Sequence, residues 1–210
     1  MMPGLPDWAV SRLYREVVKI KWKKLILITW GALSLFVLGA CSSSDDKDII
    51  HIRQNLEDYQ AKTVPYEEEI QFTLTTKEIL EGVEEPRKIT TVHDTEVFLT
   101  DIKEEVNELN NKQEILVFVG LDGKVEEKGT LLSTFRLNED DTYTSGPNFL
   151  TDIRAINERG EDGDFGGTVG DYEGRSGQRV LYVFAKDELM GSKEWTFEIE
   201  GLYLLEYQEM

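Results

Sequence analysis

The sequence predicts a mainly β protein in which residues 67–210 form an antiparallel sandwich. Apolar and polar residues alternate over several short segments, which is the pattern of strands buried on one face. Two continuous apolar runs, Ile115–Val119 and Val180–Phe184, suit central strands. Glycine, asparagine and aspartate separate the segments, and seven or so short strands spaced in this way are typical of a sandwich.

The limits of the strands follow from the alternation and from turn signals such as Asp122-Gly123, which closes the first apolar run. In chain order the predicted strands cover Ile70–Leu74, Val97–Leu99, Ile115–Val119, Leu131–Leu137, Phe149–Ile156, Val180–Phe184, Trp195–Ile199 and Leu202–Tyr207.

The segment Asp101–Asn111 fits two structures. Ile102, Val106 and Leu109 have the spacing of one helix face. The segment lies between two strand-like runs, however, and this favours the end of a strand followed by an acidic hairpin arm.

A short helix is predicted before the sandwich. In Ile49–Gln60, apolar residues recur at spacings of three and four, as on one face of a helix that packs onto the domain. This helix belongs to a helix-and-linker segment over residues 49–66. The preceding Ser42–Asp48 is short, polar and acidic, which is typical of a flexible tether.

The charge of the chain is unevenly distributed. The formal net charge is −18, but six basic and two acidic residues give the first 40 residues +4, so residues 41–210 carry −22. Such acidity argues against unaided binding of nucleic acid, which needs a basic face. The single cysteine excludes an intramolecular disulfide and a multi-cysteine metal site.

A basic cluster at Lys19–Lys24 leads into the sixteen uncharged residues Leu25–Ala40. As a helix, this segment would span about 24 Å, short of the ~30 Å hydrocarbon core of a bilayer. Its length and basic flank therefore predict a signal peptide rather than a permanent membrane span.

The segment ends in Leu38-Gly39-Ala40-Cys41, which resembles the lipobox of bacterial lipoproteins of the Gram-positive type. In that family, the cysteine thiol receives a diacylglycerol and the chain is cut just before the cysteine. The resemblance implies a protein anchored through Cys41 to the extracytoplasmic face of the cell membrane. The alternative is an uncleaved signal anchor with a buried, inert cysteine.

Four regions follow from these observations. Residues 1–40 are a signal peptide, 41–48 the lipidated cysteine and tether, 49–66 the helix and linker, and 67–210 the sandwich. Residues 1–17 are long for the basic part of a signal peptide. They come either from a start codon placed too far upstream or from a genuine cytoplasmic extension.

A second resemblance concerns residues 94–207. The order of Glu96–Ile102, Asn110–Val119, a glycine-rich loop and Gly177–Lys186 is similar to immunoglobulin-like domains of unknown function in Gram-positive lipoproteins. The resemblance implies an immunoglobulin-like β-sandwich. The resemblance implies no catalytic residues in this chain.

The loop from Asp162 to Glu173 is the candidate metal site. Against the calcium-loop template, Asp162, Asp164, Gly167 and Glu173 match, whereas Gly166 fails at the fifth position. The predicted ligands are therefore the carboxylates of Asp162, Asp164 and Glu173. The alternative is an acidic surface loop without a ligand. A second acidic cluster, Asn138–Asp141, is typical of a solvated hairpin turn.

Enzymatic chemistry has little support in the sequence. The only histidines are His51 and His93, and no nucleophile elbow, zinc-binding helix or phosphate loop is present. The sequence favours a non-enzymatic module that binds an unidentified protein or envelope component through its loops, where Tyr143 and Tyr172 are candidate contacts. No cofactor is expected other than calcium. The alternatives are a calcium-dependent surface domain and an envelope hydrolase.

Overall fold

The computed structural model describes residues 47–172 and 177–210. These residues are mainly β, and every pair of neighbouring strands among them is antiparallel. The predicted signal peptide, Cys41 and Glu173 lie outside the described residues, so the lipidation site and one predicted calcium ligand stay predictions.

The described residues contain three short helices and thirteen strands. The helices are α1 (Ile49–Gln54), α2 (Thr76–Glu81) and α3 (Lys186–Met190), and a single 3₁₀ turn covers Leu56–Asp58. The strands are β1 (Tyr59–Pro65), β2 (Ile70–Thr75), β3 (Arg87–Val92), β4 (Thr95–Asn107), β5 (Lys112–Gly123), β6 (Lys128–Ser133), β7 (Phe135–Leu137), β8 (Tyr143–Ser145), β9 (Ile153–Asn157), β10 (Phe165–Asp171), β11 (Gln178–Ala185), β12 (Glu194–Ile199) and β13 (Tyr203–Glu209).

Two sheets share the main core. One has the strand order β10-β11-β5-β4-β3 and the other the order β2-β12-β9. Alternate side chains of both sheets point inward, and those of β5, β11 and β12 are almost completely buried. Aromatic rings fill the centre, where Phe197 of β12 meets Tyr182 and Phe184 of β11 at ring distances of 5.0 and 6.0 Å. This layering is consistent with a β-sandwich.

A smaller core lies beside the main one. A third sheet of order β1-β13-β6 packs against α1, and its buried members are Ile49, Ile52, Tyr59, Leu131, Leu205 and Tyr207. The first strand of the fold, β1, pairs with the last, β13, over seven residues.

The expected helix over Ile49–Gln60 is too long. The helix ends at Gln54 because Asn55 leaves the helical conformation and its side-chain amide donates to the His51 carbonyl at 2.8 Å. After the 3₁₀ turn at Leu56–Asp58, Tyr59–Pro65 form β1 rather than a linker, since β13 offers them a complete pairing edge. The fold therefore includes residues 49–66.

Most strand predictions are confirmed, and Asp101–Asn111 forms the end of β4 and the turn of a hairpin, not a helix. The main difference is the segment expected to be a calcium loop, which contains the strand β10. Glycine is disfavoured in strands, and three glycines in Phe165–Asp171 make this strand hard to recognise from sequence. Seven residues of β11 pair with it nevertheless.

The long strands define two ends of the fold. At one end, which we call the tether end, the Val125 amide donates to the Lys47 carbonyl at 3.1 Å and Lys47 Nζ lies 3.1 Å from Glu209 Oε1. The strand β4 begins there, where the Asp94 amide donates to the Thr130 carbonyl. Its thirteen residues then extend for about 40 Å. They reach the opposite end, called the distal end, which consists of α2, α3 and the β4–β5 turn.

Candidate interaction surface

The β4–β5 hairpin ends in a turn whose conformation is well determined by hydrogen bonds. Asn107 Oδ1 accepts from the Leu109 amide at 2.9 Å, and the Asn107 carbonyl accepts from the Asn111 amide at 2.8 Å. On the returning strand, Asn110 Oδ1 accepts from the Lys112 amide at 2.9 Å. Asparagine is suited to this role because its side chain bonds to nearby backbone and it tolerates positive φ, which is 55° at Asn111. The turn presents Leu109 with 97% of its surface exposed.

Three further apolar side chains are exposed at the distal end. Met190 of α3 is 57% exposed, Val106 of β4 55% and Leu80 of α2 42%. A single exposed apolar residue is ordinary in a folded protein. Among the seven large hydrophobic residues that are exposed in the described part of the chain, however, four lie at this end. The exposed apolar side chains of the described residues are therefore concentrated at the distal end, which makes it the candidate contact surface.

The two distal helices share one pattern of burial and exposure. In α2, Ile79 is buried in the main core and the next residue, Leu80, faces outward. In α3, Leu189 is buried and Met190 faces outward. Each helix thus uses one apolar residue to close the core and exposes the next.

Hydrogen bonds hold both helices in place. A capping box begins α2, in which Glu78 accepts from the Thr75 amide and hydroxyl at 2.8 Å. The same bonds lower the pKa of the Glu78 carboxyl. The helices are tied to the core because the Trp195 indole donates to the Leu189 carbonyl at 3.1 Å and the Thr76 hydroxyl donates to the Ser192 carbonyl at 2.6 Å.

A cleft of about 590 Å³ separates the hairpin from α3. It is lined by Asn111, Lys112, Gln113, Asp164, Ala185, Lys186, Asp187 and Glu188. The ammonium of Lys186 lies 2.8 Å from both carboxylate oxygens of Glu104 and joins the helix to the hairpin. The distal end is acidic, since α2, α3 and residues 103–114 contain eight carboxylates and four lysines.

The structure places Asp162 and Asp164 beside one shallow cleft of about 340 Å³, together with Phe149 and Leu150. Asp162 Oδ1 accepts from Nε and Nη2 of Arg154 at 3.2 and 3.0 Å. Within residues 47–172 and 177–210 no group of three or more His, Cys, Asp or Glu side chains is arranged to hold a metal ion. Because Glu173 lies outside these residues, the structure does not test the full set of three ligands.

Calcium at about 1 mM is expected to shift the melting temperature by less than about 1 °C. The fifth position of the template is Gly166, which supplies no side-chain oxygen, and Asp162 already neutralises Arg154. Thermal unfolding with and without calcium, followed by circular dichroism, checks this. A rise of several degrees that a chelator reverses would contradict it and establish a cation site.

Apart from Tyr172, the other polar candidates have structural roles. Asn138–Asp141 is the turn between β7 and β8, as expected. Tyr143, expected in an exposed loop, lies instead on β8 under the Arg53 guanidinium at 4.7 Å, and burial raises the pKa of its hydroxyl to about 12. Tyr172 is 41% exposed. His93 occupies the β3–β4 turn with a φ of 48°.

Sequence reasoning missed the distal surface itself. Two adjacent apolar residues in short helices, as in Ile79-Leu80 and Leu189-Met190, were an available signal, because a helix at the surface buries only one of such a pair. A leucine within the polar turn Glu108–Asn111 was another.

No protein-family model, curated protein or solved structure matches this chain. Across the described ranges, none of the helices has the length and apolar character needed to cross a membrane.

Proposed function

We propose that this chain is a lipid-anchored extracytoplasmic lipoprotein whose immunoglobulin-like domain is a non-enzymatic binding module. The observation that carries the proposal is the difference between the two ends of the fold. The described chain starts at Lys47, six residues after Cys41, at the end opposite to the exposed apolar side chains. An anchor on one end and a contact surface on the other is the arrangement that a surface-tethered binding module requires.

The anchor rests on the sequence. Leu38-Gly39-Ala40-Cys41 offers small residues at the cleavage site and a single strong nucleophile for thioether formation. Each buried CH₂ contributes about 0.8 kcal/mol, so the two chains of a diacylglycerol are enough for stable attachment. Charge does not help, since residues 41–210 carry −22 and an anionic leaflet repels them.

The domain stands off the membrane in this proposal. Six residue steps from Cys41 to Lys47 span at most about 20 Å. The domain then adds the length of β4, about 40 Å. These lengths allow the distal end to face away from the lipid and toward the surroundings of the cell.

The immunoglobulin-like fold is supported by the way in which the two main sheets are joined. The chain crosses between them three times, from β2 to β3 through α2, from β9 to β10 through residues 158–164, and from β11 to β12 through α3. All three crossings occur at the distal end, and all paired strands described are antiparallel, as such sandwiches require.

Cys41→Ala is expected to move the protein from the membrane fraction to the soluble fraction or to leave it as uncleaved precursor. The substitution removes the thiol that accepts the diacylglycerol, so no acyl chain can be attached. Fractionation of cells producing the full chain, with metabolic labelling by a fatty-acid analogue, measures both effects.

Ser42→Ala is the matched control for that experiment and should leave anchoring and labelling unchanged. If the Cys41→Ala protein stays in the membrane pellet at its mature length, lipid anchoring is wrong.

A further inference from the structure

We infer that the distal end docks a second protein whose contact face has an apolar pocket bordered by lysine and arginine. The inference rests on the proposed function, because it assigns the partner of the proposed binding module. It is carried by the exposed apolar side chains, by the charge around them and by the position of Lys47.

The backbone that carries the apolar side chains is held in place by hydrogen bonds. Leu109 projects from a turn held by three hydrogen bonds, and Met190 extends from a helix tied to the core through Leu189. Docking a rigid surface requires little ordering of the backbone, so more of the contact free energy remains as affinity. Leu109, with 97% of its surface available, is the side chain best placed to enter a pocket.

A bilayer does not fit as the occupant. The described residues begin at Lys47, at the tether end, and the distal end lies about 40 Å away along β4. The domain would have to lie on its side to touch the lipid with Leu109. That orientation would press residues 41–210, which carry −22, against the headgroups.

A second copy of the chain does not fit either. Each distal end has eight carboxylates and four lysines, and two of those lysines, Lys77 and Lys186, already form ion pairs with glutamates. Two such ends would repel each other on approach. Electrostatic complementarity instead selects a basic partner and speeds its encounter.

Photo-crosslinking in cells that produce the full chain tests the inference. Benzoylphenylalanine replaces Leu109 in one variant, Met190 in a second and Met210 in a third. Met210 is the matched control, since it is also an exposed apolar residue, at 71%, but lies at the tether end, where its amide donates to the Asp58 carbonyl. Leu109 and Met210 are both largely exposed, so neither substitution disturbs a core.

The expected result is an adduct with the same protein from positions 109 and 190 and none from position 210. Mass spectrometry should place the crosslink in a segment of the partner that has more lysine and arginine than aspartate and glutamate. The purified partner is then titrated with the full lipidated chain in detergent. Leu109→Ser should raise the Kd at least about tenfold, and Met210→Ser should leave it unchanged.

Several results would overturn the inference: no adduct from position 109, an adduct with another copy of the chain or with lipid, equal adducts from position 210, or an unchanged Kd for Leu109→Ser. Fractionation of Cys41→Ala in the same cells separates this inference from the proposed function. Loss of anchoring with an unchanged partner adduct supports both. Normal anchoring without an adduct contradicts the docking inference and leaves the proposed lipid anchor in place.

Discussion

Replacing Phe197 with alanine should lower the free energy of unfolding by about 3–5 kcal/mol. The ring is fully buried and touches both main sheets. It stacks on Phe72 of its own sheet at 4.9 Å and meets Tyr182 of the opposite sheet edge-on at 5.0 Å. Its removal leaves a cavity that strands on both sides cannot fill without moving, and this adds to the lost transfer free energy.

Urea denaturation followed by circular dichroism measures the effect. Leu150→Ala is the control, because Leu150 is 88% exposed and its truncation should change the free energy by less than about 0.5 kcal/mol. A loss below about 1 kcal/mol for Phe197→Ala would mean that this ring does not lie between the sheets.

Gly167→Ala should destabilise the protein by about 3 kcal/mol. A Cβ atom at this position would lie 1.9 Å from the Leu181 carbonyl oxygen and 2.7 Å from the Phe149 ring, with a φ of 158°. The carbonyl belongs to β11, the central neighbour of β10, so the clash cannot be relieved by rotating a side chain. The edge strand must separate from the sheet or distort it.

The preceding glycine provides a matched control. A Cβ atom at Gly166 would have no neighbour within 4 Å. Gly166→Ala should therefore be neutral or stabilise by up to about 1 kcal/mol, since alanine restricts the unfolded chain more than glycine does. Equal destabilisation by the two substitutions, measured in the same urea titration, would contradict the pairing of β10 with β11.

The strands that could be predicted from the sequence are those with a strict alternation. Over Trp195–Ile199 every second side chain is apolar, and in the structure these side chains face the core. The hairpin over Asp101–Asn111 was predictable for a related reason, because its polar turn separates two strand-like runs. Local pattern and tertiary structure agree at these places.

Other strands depend on partners that are far away in the sequence. The strand β10 contains three glycines and forms because it pairs with β11. The strand β1 likewise forms because it pairs with β13. The calcium-loop template matched a segment that contains a strand in the structure. In a strand, successive side chains point to opposite faces. The side chains of Phe165–Asp171 therefore lie on two faces of the sheet, whereas a loop with the same spacing could bring them together.

The candidate surface was less accessible to prediction than the fold. Leu109 and Val106 were recognised as apolar, but an apolar residue in a sequence is normally expected to be buried. Their exposure follows from the length of the hairpin, which exceeds that of neighbouring β11 by several residues. Only the three-dimensional arrangement brings them to the same end as Leu80 and Met190.

The pairing of β1 with β13 has a consequence for how the chain folds. Tyr59 and Glu209 are partners although 150 residues separate them in the sequence. Contacts of such separation are formed late, because a long loop must close first, and they make folding slow. The sheet that contains both strands therefore cannot be completed until residue 209 has emerged from the ribosome. During synthesis this sheet therefore stays incomplete until the last strand of the chain is available.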